Sequence, residues 1–203
     1  GAWIRDSMAG IGTMTYYDPE SGAFGALGHG ITDADTALLM PFASGSILPS
    51  TVKAVKKGAV GDAGELRGDF DLSCDLGDLS ANTASGIFGT LDPGEFTERL
   101  GDPMPVAAAA EVHAGPATIL SNVEGDSVEE YDIEILQVVE DPADGRDLVI
   151  SVTDPELLAA TGGIVQGMSG SPILQDGKFA GAVTHVLLND PSKGYGILME
   201  TML

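Results

Sequence analysis

Apolar positions in this chain come in short runs broken by glycine, aspartate, serine and proline. That is the punctuation of strands and tight turns, not of long helices. Gly10–Tyr17 is rich in β-formers and reads as a strand, Asp18–Gly22 as a turn, and Ala23–Gly28 as the returning strand. His29 then falls at that strand's end or in the loop after it. Residues 45–58 hold a further apolar stretch carrying Lys53, Lys56 and Lys57, and residues 61–80 read as loop. Ile87–Leu91 is a short strand; Met104–Val112 and Pro116–Val123 are apolar runs separated by Gly115. Between Ser127 and Glu140, Tyr131, Ile133 and Ile135 alternate with Asp132 and Glu134, the pattern of a half-buried strand. Arg146–Thr153 is another strand, stopped by Asp154-Pro155, and Glu156–Thr161 forms one or two helical turns closed by Gly162-Gly163. The clearest local pattern is the C-terminal hairpin. Pro172–Gln175 and Lys178–Thr184 flank Asp176-Gly177, a two-residue turn, and Gly194–Glu200 adds a strand. The sum is an all-β chain of many short strands with few short helices, arranged as two barrels or a folded sandwich.

Composition narrows the function. Of 203 residues, 43% are hydrophobic, enough for a sizeable core. The net charge of −22 (9 basic, 31 acidic side chains) argues against nucleic acid and against anionic lipid as partners. Cys74 is the only cysteine, so no intrachain disulfide forms, and its acidic neighbours do not activate a thiol. Three scattered histidines and one cysteine give no metal-ligand spacing, and no cofactor motif is present. No stretch approaches the roughly 20 apolar residues of a membrane span. The abrupt Gly1-Ala2 start reads as the edge of a fragment cut from a longer protein.

Gly167-Met168-Ser169-Gly170-Ser171-Pro172 runs directly into the hairpin. Glycines around a serine allow a tight turn, close substrate approach and successive N–H groups aimed into one space, which is what an oxyanion requires. Taken alone, the segment also fits a Gly/Ser surface turn. A nucleophilic serine needs a base. His29 sits between glycines at a strand end, where it is accessible. His113 reads as a surface histidine in a turn, and His185 as a partly buried residue on the hairpin's second strand. Asp33, Asp35 and Asp154 are candidates for the group that orients the base, and spacing does not choose among them.

The serine segment resembles the Gly-Asp-Ser-Gly-Gly-Pro of chymotrypsin-like peptidases, with Met168 and Ser171 as the departures. On that alignment Ser169, not Ser171, is the nucleophile, and the N–H groups of Gly167 and Ser169 form the oxyanion hole. More of the chain resembles the SpoIVB peptidase family. The run from Trp3 to Thr13, Gly25–His29, Ser50-Thr51-Val52, Gly86–Leu91 and Gly115-Pro116-Ala117 carry the likeness. So do Thr153–Leu158, Thr161–Ile173, Gly181–Val186 and Asn189-Asp190-Pro191. Residues 61–80 and 92–103 match least. The resemblance implies a chymotrypsin-like double β-barrel, with subdomains at roughly 1–110 and 111–203. It also implies a triad of His29 as base, Asp154 as orienting acid and Ser169 as nucleophile. The acid stands close before the serine, not midway between histidine and serine as in ordinary chymotrypsin order.

Members of this family are exported into the space between the forespore membranes. There they cleave a regulator of an intramembrane protease and trigger a late sigma factor. They carry an upstream membrane or signal segment and a PDZ domain, neither of which lies in this chain. In chymotrypsin-like folds the hairpin's second strand lines the pocket for the residue before the scissile bond. His185 is therefore a candidate substrate contact, with a satisfied core histidine as the alternative. The competing functions are a catalytically silent β-barrel that binds extended peptides by strand addition and an esterase. The esterase reading lacks a Gly-x-Ser-x-Gly elbow and βα alternation.

Overall fold

The computed structural model describes residues 9–33, 36–94, 96–139, 142 and 145–203. Asp35, Glu140 and the Trp3–Met8 part of the opening run lie outside them. The described residues form thirteen strands: β1 (Met14–Tyr17), β2 (Ala23–Ala26), β3 (Ser46–Ile47), β4 (Ser50–Lys56), β5 (Glu65–Phe70), β6 (Gly77–Thr83), β7 (Gly86–Leu91), β8 (Gly115–Glu124), β9 (Ser127–Val138), β10 (Leu148–Val152), β11 (Pro172–Gln175), β12 (Lys178–Val186) and β13 (Lys193–Leu198). Two short α-helices, α1 (Pro155–Thr161) and α2 (Met199–Met202), and two single 3-10 turns, Thr97–Arg99 and Ala109–Glu111, complete the regular structure of the described residues. The all-β expectation holds.

The C-terminal strands close into a six-stranded barrel in the order β10-β13-β12-β11-β8-β9. Alternation builds it. Ala117, Ile119, Ser121 and Val123 of β8 point inward, as do Tyr131, Ile133 and Ile135 of β9, with Ala117 opposite Ile133 and Ile119 opposite Tyr131. Asp132 and Glu134 face water, as their spacing predicts. Ile119, Ile135, Leu148, Ile150 and Ile173 are fully buried at the centre. Each contributes about 1.5–3 kcal/mol of burial.

The N-terminal strands do not close. They form a five-stranded sheet, β1-β2-β7-β6-β3, around a smaller core of Phe24, Ala26 and Leu91, and β4–β5 stands apart as a two-stranded hairpin. The molecule is thus a full barrel beside a half-barrel. Residues 61–80, expected as loop, instead supply β5 and most of β6. In β5 only Leu66 is buried, so no apolar period marks it in the sequence. Pairing with β4, from Lys56 opposite Glu65 to Ser50 opposite Phe70, makes it a strand.

The segment before β8 is strapped to the β11–β12 turn. The Ala107 N–H donates to the Phe179 carbonyl at 3.0 Å and the Phe179 N–H to the Pro105 carbonyl at 2.8 Å. Lys178 pairs with Glu111. His113 is exposed, as expected; Nδ1 bonds the Ala114 carbonyl at 3.0 Å and Nε2 the Asp176 carboxylate at 2.9 Å. Both nitrogens therefore donate, and the Ala114 carbonyl, then the Asp176 carboxylate, raise the His113 pKa above its ordinary value. A raised folded-state pKa gives stabilisation that is complete below the unfolded value, about 6.5, and is lost as pH rises through the folded one. Asp176→Asn should therefore lower the melting temperature near about pH 5.5 and match the wild type near about pH 9. Thermal melts across that range check it.

Candidate active site

Two loops meet where the half-barrel abuts the barrel. One is the turn after β2. Leu27 has φ 70° and Gly28 φ 69°, so two successive left-handed residues deliver His29. For a leucine that conformation costs about 1–3 kcal/mol, and such strain persists only where packing enforces it. The other loop runs from Gly167 to Ser171. Gly170 has φ 93°, and a Cβ there would stand 2.1 Å from the Thr13 carbonyl oxygen and 2.6 Å from the Leu27 nitrogen. Thr13 ties the loops together. Its N–H donates to the Ser169 carbonyl at 2.9 Å, its hydroxyl to the Gly167 carbonyl at 3.2 Å, and its own carbonyl accepts from the Leu27 N–H at 3.2 Å.

Ser169 and Ser171 are set apart by environment. Ser171 is fully buried and its hydroxyl donates to the Ser121 hydroxyl at 3.3 Å. Ser169 is half-buried and its hydroxyl donates to the Thr184 carbonyl at 3.0 Å. The N–H groups of the loop divide the same way. Met168 donates to Val165 at 3.1 Å, Gly170 to Val183 at 2.7 Å and Ser171 to Met168 at 3.0 Å. Among the described residues the N–H groups of Gly167 and Ser169 donate to nothing. They are the pair the sequence pattern nominates as oxyanion donors.

His29 is half-buried in the loop beyond β2, with Nδ1 2.9 Å from the Gly30 carbonyl. A carbonyl only accepts, so in the neutral ring Nδ1 holds the proton and Nε2 is left as the acceptor, the tautomer a general base needs. The His185 ring lies against it, centroids 4.9 Å apart and planes at 38°. The structure thus brings His29, Ser169, Gly167 and His185 to one junction, with the serine hydroxyl turned to Thr184. The described hydrogen bonds of the Asp154 carboxylate go elsewhere. Asp154 is the N-cap of α1. Its Oδ1 accepts from the N–H groups of Glu156 at 2.8 Å and Leu157 at 2.9 Å, and its Oδ2 accepts from the Asp132 N–H at 3.4 Å. Asp132 belongs to β9, and β13 and β10 intervene between β12 and β9. Asp33 caps its own turn, accepting from the Thr36 N–H at 2.9 Å.

Thr13, Thr184 and Gly170 are the site residues that sequence reasoning missed. Thr184 acts through its backbone carbonyl, Thr13 through its backbone and one hydroxyl bond, and Gly170 through a missing side chain, and none of these stands out by residue type in the sequence. A cavity of about 850 Å³ lies between Val112, Val138, Asp147, Ile197 and Thr201 and includes neither His29 nor Ser169. Among the described residues no cluster of His, Cys, Asp or Glu is placed to hold a metal.

A serine hydroxyl, an imidazole and N–H groups without a described acceptor are the types of group that acyl transfer by a serine peptidase uses. The family model of the SpoIVB peptidase, S55, matches residues 1–203, and the chain belongs to that family. No curated protein matches it. Two solved structures are similar to it. The inactive form of Rv3671c protease is 15% identical with a TM-score of 0.42, covering 64% of this chain and 66% of that one. The active form of Rv3671c protease from M. tuberculosis is 14% identical with a TM-score of 0.40, covering 81% and 90%. The match therefore spans just under two thirds of the first of these chains.

Two substitutions test the geometry. Gly170→Ala forces a Cβ into backbone of Thr13 and Leu27, and is expected to abolish activity and to lower the melting temperature. Asp154→Ala removes the cap of α1 and should cost about 1 kcal/mol in a urea titration. Asp154→Asn keeps the Oδ1 cap and gives up only the 3.4 Å acceptor for the Asp132 N–H, so it should cost less than Asp154→Ala.

Proposed function

We propose that the chain is a serine endopeptidase that works through an acyl-enzyme. His29 Nε2 takes the Ser169 proton as the hydroxyl turns from the Thr184 carbonyl, and Ser169 Oγ attacks the scissile carbonyl. The Gly167 and Ser169 N–H groups receive the oxyanion, and His29 returns the proton to the leaving amine before water releases the acyl group. The observation that carries this reading is the loop's division of labour. Gly167 and Ser169 keep free N–H groups while the three engaged N–H groups of Met168, Gly170 and Ser171 hold the turn rigid. Donors fixed before reaction in this way contribute most to acyl transfer.

The family likeness assigns the third role of the triad to Asp154. In the described geometry the Gly30 carbonyl holds the His29 ring and Asp154 caps α1. The reading therefore stands on His29 and Ser169. Lower activity of Asp154→Asn at an unchanged melting temperature is the signature of an orienting acid. The likeness also supports the physiological part of the proposal. The substrate is a regulatory protein of an intramembrane protease in sporulation signalling. Full-length protein is exported to the space between the forespore membranes, and a PDZ domain of the same protein assists. Among the described residues no helix is long and apolar enough to cross a membrane.

Labelling with a fluorophosphonate probe tests the chemistry. Wild type should label. Ser169→Ala should not, His29→Ala should label more slowly by about 10²–10⁴-fold, and Ser171→Ala should still label if it folds. A folded wild type that does not label would favour the silent peptide-binding module or a zymogen-like state.

A further inference from the structure

The register of β12 against β13 slips between Val183, opposite Gly196, and His185, opposite Tyr195, so Thr184 is the extra residue of a bulge. A bulge re-aims the side chains of its strand. Here the Thr184 carbonyl takes the Ser169 hydroxyl at 3.0 Å, and the next residue lays its ring on His29. The contact is close on the other side too. A Cβ on Gly28, the residue before His29, would meet the Thr184 methyl at 2.9 Å. Consecutive residues of one bulge therefore hold the two reacting side chains.

For His29 this matters because its one described hydrogen bond, Nδ1 to Gly30, fixes a single ring atom. A ring pinned at one atom can still tilt about that bond, and Nε2 moves with the tilt. The face that stops it is the His185 ring, 4.9 Å away between centroids. We infer that His185 is the positioning residue of His29, fixing the plane of the base by ring-on-ring packing. This inference rests on the peptidase reading for its consequence in rate, but not for the contact itself. It also gives His185 a role other than the substrate-pocket contact the hairpin position suggests. A side chain that positions the base changes turnover with every substrate, whereas one that lines a pocket changes the choice among substrates.

The test compares His185→Phe, which keeps a flat ring, with His185→Ala, which removes it. Both are measured for fluorophosphonate labelling rate, for preference at the residue before the cut, and for the NMR chemical shift of the His29 Cε1 proton at one fixed pH. Thermal melts show that both variants are folded. Phe should label within about threefold of wild type, and Ala more slowly by about 10- to 100-fold, the usual cost of a small misplacement of a reacting group. Cleavage preference should be unchanged in both. The His29 Cε1 resonance should move in Ala, which removes the neighbouring ring current, and move less in Phe. Wild-type labelling by Ala, or an altered preference at an unchanged rate, would overturn the assignment. Should wild type itself not label, the proposed activity falls for this chain and the NMR comparison still decides the contact: a His29 Cε1 resonance identical in wild type and Ala would refute it.

Discussion

The site depends on one close approach of backbone to backbone. At Gly170 the chain passes so near Thr13 and Leu27 that no side chain fits between them. That contact sets the distance from the serine loop to the histidine loop, and every other site feature depends on it. Thr13 can then bridge both loops, Leu27 is pressed into its left-handed conformation, and His29 is carried to β12. The strain at Leu27 persists because the contacts around it leave no alternative.

The two halves contribute unequally. The closed barrel supplies the rigid parts: the serine loop, the bulge at Thr184 and the buried aliphatic centre. The open sheet supplies His29 from a turn with fewer partners. The β4–β5 hairpin belongs to neither, yet Leu66 donates to the Gln166 carbonyl at 2.8 Å and its side chain packs beside Gly167. It braces the oxyanion loop from outside. The acidic surface takes no part in these contacts. Glu129, Glu130, Asp132 and Glu134 occupy the outward positions of β9.

Much of this was legible in the chain. Alternation at Tyr131, Ile133 and Ile135 gave the barrel's longest strand, and Asp176-Gly177 its hairpin. Asp154-Pro155 and Gly162 marked both ends of α1, Gly162 with the φ of 75° that a terminating glycine adopts. His29 and Ser169 stood out through the family resemblance, since a serine between glycines alone also fits a surface turn. β5 did not, because one buried leucine carries no period and its pairing partner is read only in three dimensions. The Asp154 carboxylate illustrates a different limit. The same residue type in the same sequence setting serves as a helix cap or as a triad acid, and only the partners of its oxygens tell which.

The Thr13–Gly167 bond spans 154 positions of sequence. Most barrel pairings join near neighbours, such as β8 with β9 and β11 with β12, so they close small loops early and cheaply. The bridge through Thr13 closes nearly the entire chain at once. The loops that carry Ser169 and His29 are thus joined by a contact whose loop-closure cost exceeds that of the barrel hairpins. A chain that stops short of Gly167 has no partner for the Thr13 hydroxyl, so this joint needs most of the sequence between them in place.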